Sequence, residues 1–109
     1  METTKLSDTL SVTGQVRPDE VAQLARAGFR SVICNRPDDE EPGQPDFAQI
    51  AAAAREQGME ARHIPVDAEH TVEMQSAAFA RALDELPKPV LAYCRTGNRC
   101  TKLHEAVSG

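Results

Sequence analysis

The sequence has no tryptophan, three phenylalanines and a single tyrosine. A core built on large rings is thereby excluded, and the interior must be assembled mainly from Ala, Val, Leu and Ile. Basic runs are missing too. The net charge is −5, and Lys and Arg never gather into a patch, which argues against nucleic acid as a partner. No apolar run approaches the roughly 18 residues of a membrane-spanning helix. The opening METTKLSD is polar and carries no signal-peptide hydrophobic region. Cysteine is sparse: Cys34, Cys94 and Cys100 make no disulfide framework and no CxxC pair. His63, His70 and His104 fall at no metal-ligand spacing and read as strand or surface residues. Neither a metal nor another cofactor is expected, and a reducing cytoplasm is the natural setting.

What is present is a regular alternation. The 109 residues suit one domain, 1–109. Residues 1–9 are polar and read as loose. Residues 10–16 read as a first strand. Pro18, Asp19 and Glu20 open a helix that Gly28 stops. Residues 29–35 form a second strand. Residues 36–45 carry three prolines and four consecutive acids, Asp38 to Glu41, and read as a mobile, solvated loop. Phe47, Ile50, Ala51 and Ala54 then repeat with helical period, starting at Pro45 or Asp46 and ending at Gly58. Residues 59–66 form a third strand and 67–70 a loop. Thr71 caps a helix reaching about Leu86. Residues 90–93 form a fourth strand, and a final helix of two turns or so, which reads as shortened, starts near Cys100. This order predicts an α/β fold, a mostly parallel sheet of about four or five strands flanked by helices. Ligands of such sheets bind at the carboxyl ends of the strands. Residues 35–39, 67–70 and 94–99 meet there.

The most informative stretch is Tyr93-Cys-Arg-Thr-Gly-Asn-Arg-Cys100. It places a thiol at the end of a buried strand, in a tight loop that feeds a helix N-terminus. Loop amides and the helix dipole concentrate partial positive charge above the sulfur. Arg95 and Arg99 add full charges. Cys94 should therefore be more acidic than the ~8.5 of a free cysteine and should hold an anion beside it. Thr96, Gly97, Asn98 and Cys100 complete the candidate anion-binding loop, with Gly97 allowing close backbone approach.

YCRTGNRC, together with SVTGQV, SVICNRPDDE and HIPVDAEH, resembles the phosphatase-like domain of the bacterial beta-lactamase-hydrolase-like proteins. The resemblance covers about Leu6 to Val107 and is most specific in the cysteine loop. It implies a dual-specificity-phosphatase-like fold. It also implies a persulfide dioxygenase as a working partner, because family members often occur fused to that metal-dependent enzyme. Cysteine-dependent phosphatases place Gly three residues after the nucleophile and Arg six after it. Here Gly97 fits the first position, but Cys100 occupies the second and the arginine comes one residue early, as Arg99. CRTGNR instead matches a common rhodanese-like sulfurtransferase loop. A phosphoryl group needs three oxygens clamped. A persulfide needs one terminal sulfur anion, a ring of amides and a nearby cation, which this loop supplies.

Three functions are therefore weighed. In the first, a sulfurtransferase, Cys94 takes sulfur from a small sulfur-containing anion or persulfide donor. It then passes the sulfur to a thiol or cyanide acceptor, with Arg95 and Arg99 binding the donor. In the second, a tyrosine-phosphatase-like phosphohydrolase, Cys94 forms a phosphocysteine, Arg99 clamps the phosphate and Asp67 is the general acid. The third is a non-catalytic anion-binding or redox-sensing module. Cys34 and Cys100 are the candidates to resolve an oxidised or persulfidated Cys94.

Overall fold

In the computed structural model, which describes residues 1–108, the chain forms a five-stranded sheet in the order β1-β2-β5-β3-β4. The strands are β1 (Thr4–Lys5), β2 (Leu10–Thr13), β3 (Ser31–Cys34), β4 (Glu60–His63) and β5 (Val90–Tyr93). The helices are α1 (Val21–Arg26), α2 (Phe47–Glu56), α3 (Val72–Glu85) and α4 (Asn98–Ser108), with a 3-10 turn at Pro18–Glu20. All neighbouring strands are parallel except β1 and β2. The expected α/β architecture with a mostly parallel sheet is the one observed.

The apolar runs of the three inner strands reflect burial on both faces, as parallel sheets require. On one face Leu10, Val12, Ile33, Val90 and Ala92 pack with Phe79 and Ala82 of α3, Leu86 just after it, and Cys100 and Leu103 of α4. On the other, Val32, Cys34, Leu91 and Tyr93 pack with Val21 and Leu24 of α1 and Ile50 and Ala54 of α2. Full burial of each such Leu, Ile or Phe contributes about 1.5–3 kcal/mol. The helices start where the caps dictate. The Asp46 carboxylate accepts the Gln49 N–H at 2.9 Å, and the Thr71 hydroxyl accepts the Met74 N–H at 3.2 Å. Such caps are each worth about 1 kcal/mol.

Three expectations are corrected. Residues 1–9 are not uniformly loose: Thr4 and Lys5 pair antiparallel with Val12 and Ser11. The last helix begins at Asn98, not Cys100, and runs 11 residues, more than two turns; Gly109 lies outside the described residues. The acidic loop is not simply solvated, because Glu40 and Glu41 fold back onto a buried arginine, Arg36. Among the described residues no helix is long and apolar enough to cross a membrane.

Candidate active site

β5 is the central strand, flanked by β2 and β3, and Cys94 is the residue that follows it. Its position is braced from the β2 side. The Cys94 N–H donates to the Thr13 carbonyl at 3.4 Å, and the Gln15 N–H donates to the Arg95 carbonyl at 3.3 Å. Gly14 is required there, since a Cβ on it would lie 2.9 Å from the Arg95 carbonyl oxygen. Gly97 turns the loop at φ +93°, in the left-handed region that favours glycine. That turn directs the Gly97 N–H to the Cys94 Sγ at 3.0 Å.

Cys94 is 1% exposed, yet its thiol is pushed down to about 5. The largest cause is the Cys100 thiol, which donates to the Cys94 sulfur. Burial opposes the shift, and the amides of Cys100, Thr96 and Arg99 add to it. A ring of donors thus surrounds the sulfur and favours the thiolate. Cys100 sits inside the first turn of α4, fully buried, in the same cluster as Cys94. Burial and the neighbouring thiolate push its own thiol far up, so it stays protonated.

The other loop residues diverge. Arg95, Thr96 and Asn98 are exposed. The Thr96 hydroxyl accepts the Asn98 N–H at 3.3 Å. Arg99 is engaged twice. Its two terminal nitrogens donate to the two oxygens of Glu40 at 3.0 and 2.8 Å, and one of them also donates to the Val66 carbonyl at 3.0 Å. Glu40 Oε1 also accepts from Arg36 Nε at 2.9 Å. The hydrogen bond from Arg99, ahead of that from Arg36, holds the Glu40 carboxyl below its ordinary range against the cost of burial.

Arg36 and Glu40 are the residues that sequence reasoning missed. Arg36 is 1% exposed and also reaches Gln15 Oε1 at 2.9 Å and Glu41 at 2.8 Å. Burial works against its charge, and the hydrogen bonds it donates to Glu41 and Glu40 outweigh it. The available signal was the pair of acids four and five residues after an arginine at a strand end.

Asp67 lines a cleft of about 850 Å³ with Glu40, Val66, Arg99 and Lys102. Its carboxylate accepts the N–H groups of Glu69 and His70 at 2.9 and 2.7 Å and contacts the His70 ring at 3.0 Å. Partial desolvation is outweighed by these bonds, so its carboxyl is lowered. Cys34 is separated from the loop by the sheet. It packs among the α1 and α2 residues, whereas Cys94 and Cys100 pack on the α3 and α4 side. Its Sγ donates to the Arg36 carbonyl at 3.2 Å, and burial pushes its thiol up to about 11. Of the two resolving candidates, only Cys100 is therefore brought to Cys94. His63 stacks on Phe47 with ring centroids 4.7 Å apart, and its Nε2 lies 2.9 Å from the Arg36 carbonyl oxygen. Among the described residues no three His, Cys, Asp or Glu side chains are grouped to hold a metal ion.

Known proteins can be set beside this geometry. The family described as beta-lactamase hydrolase-like protein, phosphatase-like domain, matches residues 2–108. A beta-lactamase hydrolase-like protein of Xylella fastidiosa (strain Temecula1) is 36% identical over 104 residues, covering 95% of this chain and 24% of that protein. One of Agrobacterium fabrum (strain C58) is 36% identical over 112 residues, covering 100% and 26%. The chain thus spans about a quarter of the length of these curated relatives. A solved structure from Neisseria meningitidis Z2491, provisionally assigned as a phosphatase, has a TM-score of 0.85 and 38% identity, covering 97% of this chain and 78% of that one. Tk-PTP in its active form has a TM-score of 0.61 at 18% identity, covering 97% and 80%. The core catalytic domain of a PP-IP phosphatase from S. cerevisiae has a TM-score of 0.64 at 12% identity, covering 87% and 56%. At such identities these last two speak for the fold, which is that of the cysteine-dependent phosphatases. With a family match running nearly end to end over a braced cysteine loop, the chain belongs to the phosphatase-like domain family of the beta-lactamase hydrolase-like proteins.

Proposed function

We propose that the chain is a sulfurtransferase with Cys94 as nucleophile. The observation that carries this reading is the residue at the sixth position after the nucleophile. Arg99, one residue earlier, is held at rest by Glu40 and by the Val66 carbonyl. At the sixth position after the nucleophile, where phosphatases carry arginine, stands a buried, neutral Cys100. A thiolate in a ring of amides remains, and that suffices for sulfur.

With thiosulfate as donor, the Cys94 thiolate attacks the outer sulfur. A new S–S bond forms, the bond to the sulfonyl sulfur breaks, and sulfite departs with the electron pair. The persulfide then gives its outer sulfur to cyanide or to a thiol. Sulfite needs no proton to leave at neutral pH, so a carboxylate held ionised at Asp67 is no obstacle. Cys94 is buried, and a donor reaches it when the Arg99–Glu40 bridge gives way. Arg99 then serves the donor anion, with Lys102 beside it in the cleft. Low-molecular-weight thiols and a persulfide dioxygenase are the acceptors and partner that fit this chemistry, in a reducing compartment.

The second reading is a phosphohydrolase that forms a phosphocysteine on Cys94. The comparisons favour it, since the family and its structural neighbours carry the name phosphatase. It requires Arg99 to exchange Glu40 for phosphate and Asp67 to gain a proton.

Thiocyanate formation from thiosulfate and cyanide separates the two. Thiocyanate release that is absent in Cys94→Ser is the expected result. No thiocyanate, with aryl-phosphate hydrolysis that depends on Cys94, would establish the second reading instead.

A further inference from the structure

Cys100 is more than a spectator. It lies in the first turn of α4, fully buried, in the same side-chain cluster as Cys94. Its thiol is near enough to the Cys94 sulfur to be the leading influence that favours the thiolate there. The loop that joins them is folded tightly enough for the Gly97 N–H to reach Cys94 Sγ at 3.0 Å and for the Thr101 N–H to reach the Gly97 carbonyl at 3.0 Å. The third cysteine is on the other face of the sheet, so this pairing has no competitor among the described residues.

We infer that Cys100 gives the domain a second activity, the release of inorganic sulfide from the Cys94 persulfide. This rests on the sulfurtransferase reading. Once the outer sulfur is on Cys94, the Cys100 thiol is the protein thiol beside the inner one. It approaches from the protein core, because it is itself buried. In-line displacement at the inner sulfur then requires the outer sulfur to face away from the core, toward the amides at the loop mouth. Those amides are suited to a leaving anion.

The step balances. The Cys100 sulfur forms a bond to Cys94 Sγ, the bond to the outer sulfur breaks, and the Cys100 proton passes to the departing sulfur, which leaves as hydrosulfide. The sulfane sulfur is reduced by two electrons, and the two thiol sulfurs are oxidised to a Cys94–Cys100 disulfide. An external thiol reductant restores the pair by thiol–disulfide exchange. Burial in one cluster supplies proximity that a solution thiol lacks, which offsets the poor acidity of a buried Cys100.

The test is a single turnover of the reduced protein with thiosulfate, without added thiol. Sulfide is measured in solution and intact mass on the protein, for wild type, Cys100→Ser and Cys100→Ala. The wild type should release close to one sulfide per loaded chain and end two hydrogens lighter, with Cys94 and Cys100 linked in one peptide pair. Both variants should instead hold the added sulfur and release at least about 10-fold less sulfide. A wild type that keeps its persulfide and releases no sulfide would overturn the inference while the sulfurtransferase reading stood. If no chain gained sulfur, including both variants, the reading itself would fail. Two variants guard against one of them simply misfolding at this buried position.

Discussion

Cys34 and Cys94 follow the same plan for most of their surroundings. Both sit at the carboxyl ends of neighbouring parallel strands, and Cys34 pairs in register with Tyr93, one residue before Cys94. Both are almost fully buried. Yet one thiol is pushed up to about 11 and the other down to about 5. Strand position does not separate them; what the next few residues aim at the sulfur does. After Cys34 the chain runs into Asn-Arg-Pro, and the Arg36 carbonyl turns back to accept the S–H. After Cys94 it runs into Arg-Thr-Gly, and the Gly97 amide turns back to donate. Burial keeps the proton on Cys34, whereas at Cys94 a neighbouring thiol and a ring of amides outweigh burial and remove it.

The sharpest way to break this comparison is to exchange the sulfurs for oxygens one at a time. Cys94→Ser should lower turnover by on the order of 10³-fold or more, while Cys34→Ser should leave turnover within about 2-fold and cost about 1 kcal/mol or more of stability. Steady-state kinetics and denaturant unfolding of the two variants measure both. Equal losses of turnover would mean that the sheet does not separate the two sites.

The next effect is in pH. Cys94 is depressed in the folded state, so the stability it contributes is present above the unfolded thiol value of roughly 8.5. That contribution is lost as pH falls toward about 5. Cys34 is raised, so its contribution is present at low pH and is lost as pH rises through about 11. Ultraviolet thiolate absorbance of the native protein should show one thiolate appearing around pH 5. Cys94→Ser should abolish that step, and Cys34→Ser should not. A single step near the ordinary thiol range would refute the assignment.

A smaller perturbation touches the loop alone. Gly97→Ala puts a side chain at φ +93°, with a strain cost of about 1–2 kcal/mol. It should also weaken the amide contact, so the Cys94 titration should move upward, toward Cys34. The smallest effect is at the rim. Glu40→Gln loosens the hold on Arg99, and inhibition by inorganic phosphate should tighten by roughly 2- to 5-fold, the scale of a partly exposed ion pair. Unchanged inhibition would mean that Glu40 does not guard the site.

The sequence shows some of these features more readily than others, for physical reasons. The alternation of strands and helices is local: it is written in apolar runs, in the Asp46 and Thr71 caps and in Gly28 and Gly58. The cysteine loop is equally local, since thiol, glycine and arginines lie within seven residues. What escapes is set by contacts between distant segments. A loop of prolines and acids gives no sign of which acid will reach across to Arg99, and Arg36 looks like a surface cation until Gln15, Glu40 and Glu41 surround it. The side of the sheet on which Cys34 lies depends on register, because one residue of slip would move it to the Cys94 face. Thr4 and Lys5 are too short a pair to show any alternation, and they become a strand only because β2 offers an open edge.

Gly14 has a further consequence, for the paths open to this sequence as it changes over generations. No side chain fits there while the Arg95 carbonyl stays 2.9 Å from the would-be Cβ. A descendant that lost this glycine would have to reroute the cysteine loop in the same step, and a descendant that remodelled the loop would release the glycine from its constraint. The end of the second strand and the nucleophile's loop are thus bound to drift together or not at all, though most of the chain lies between them.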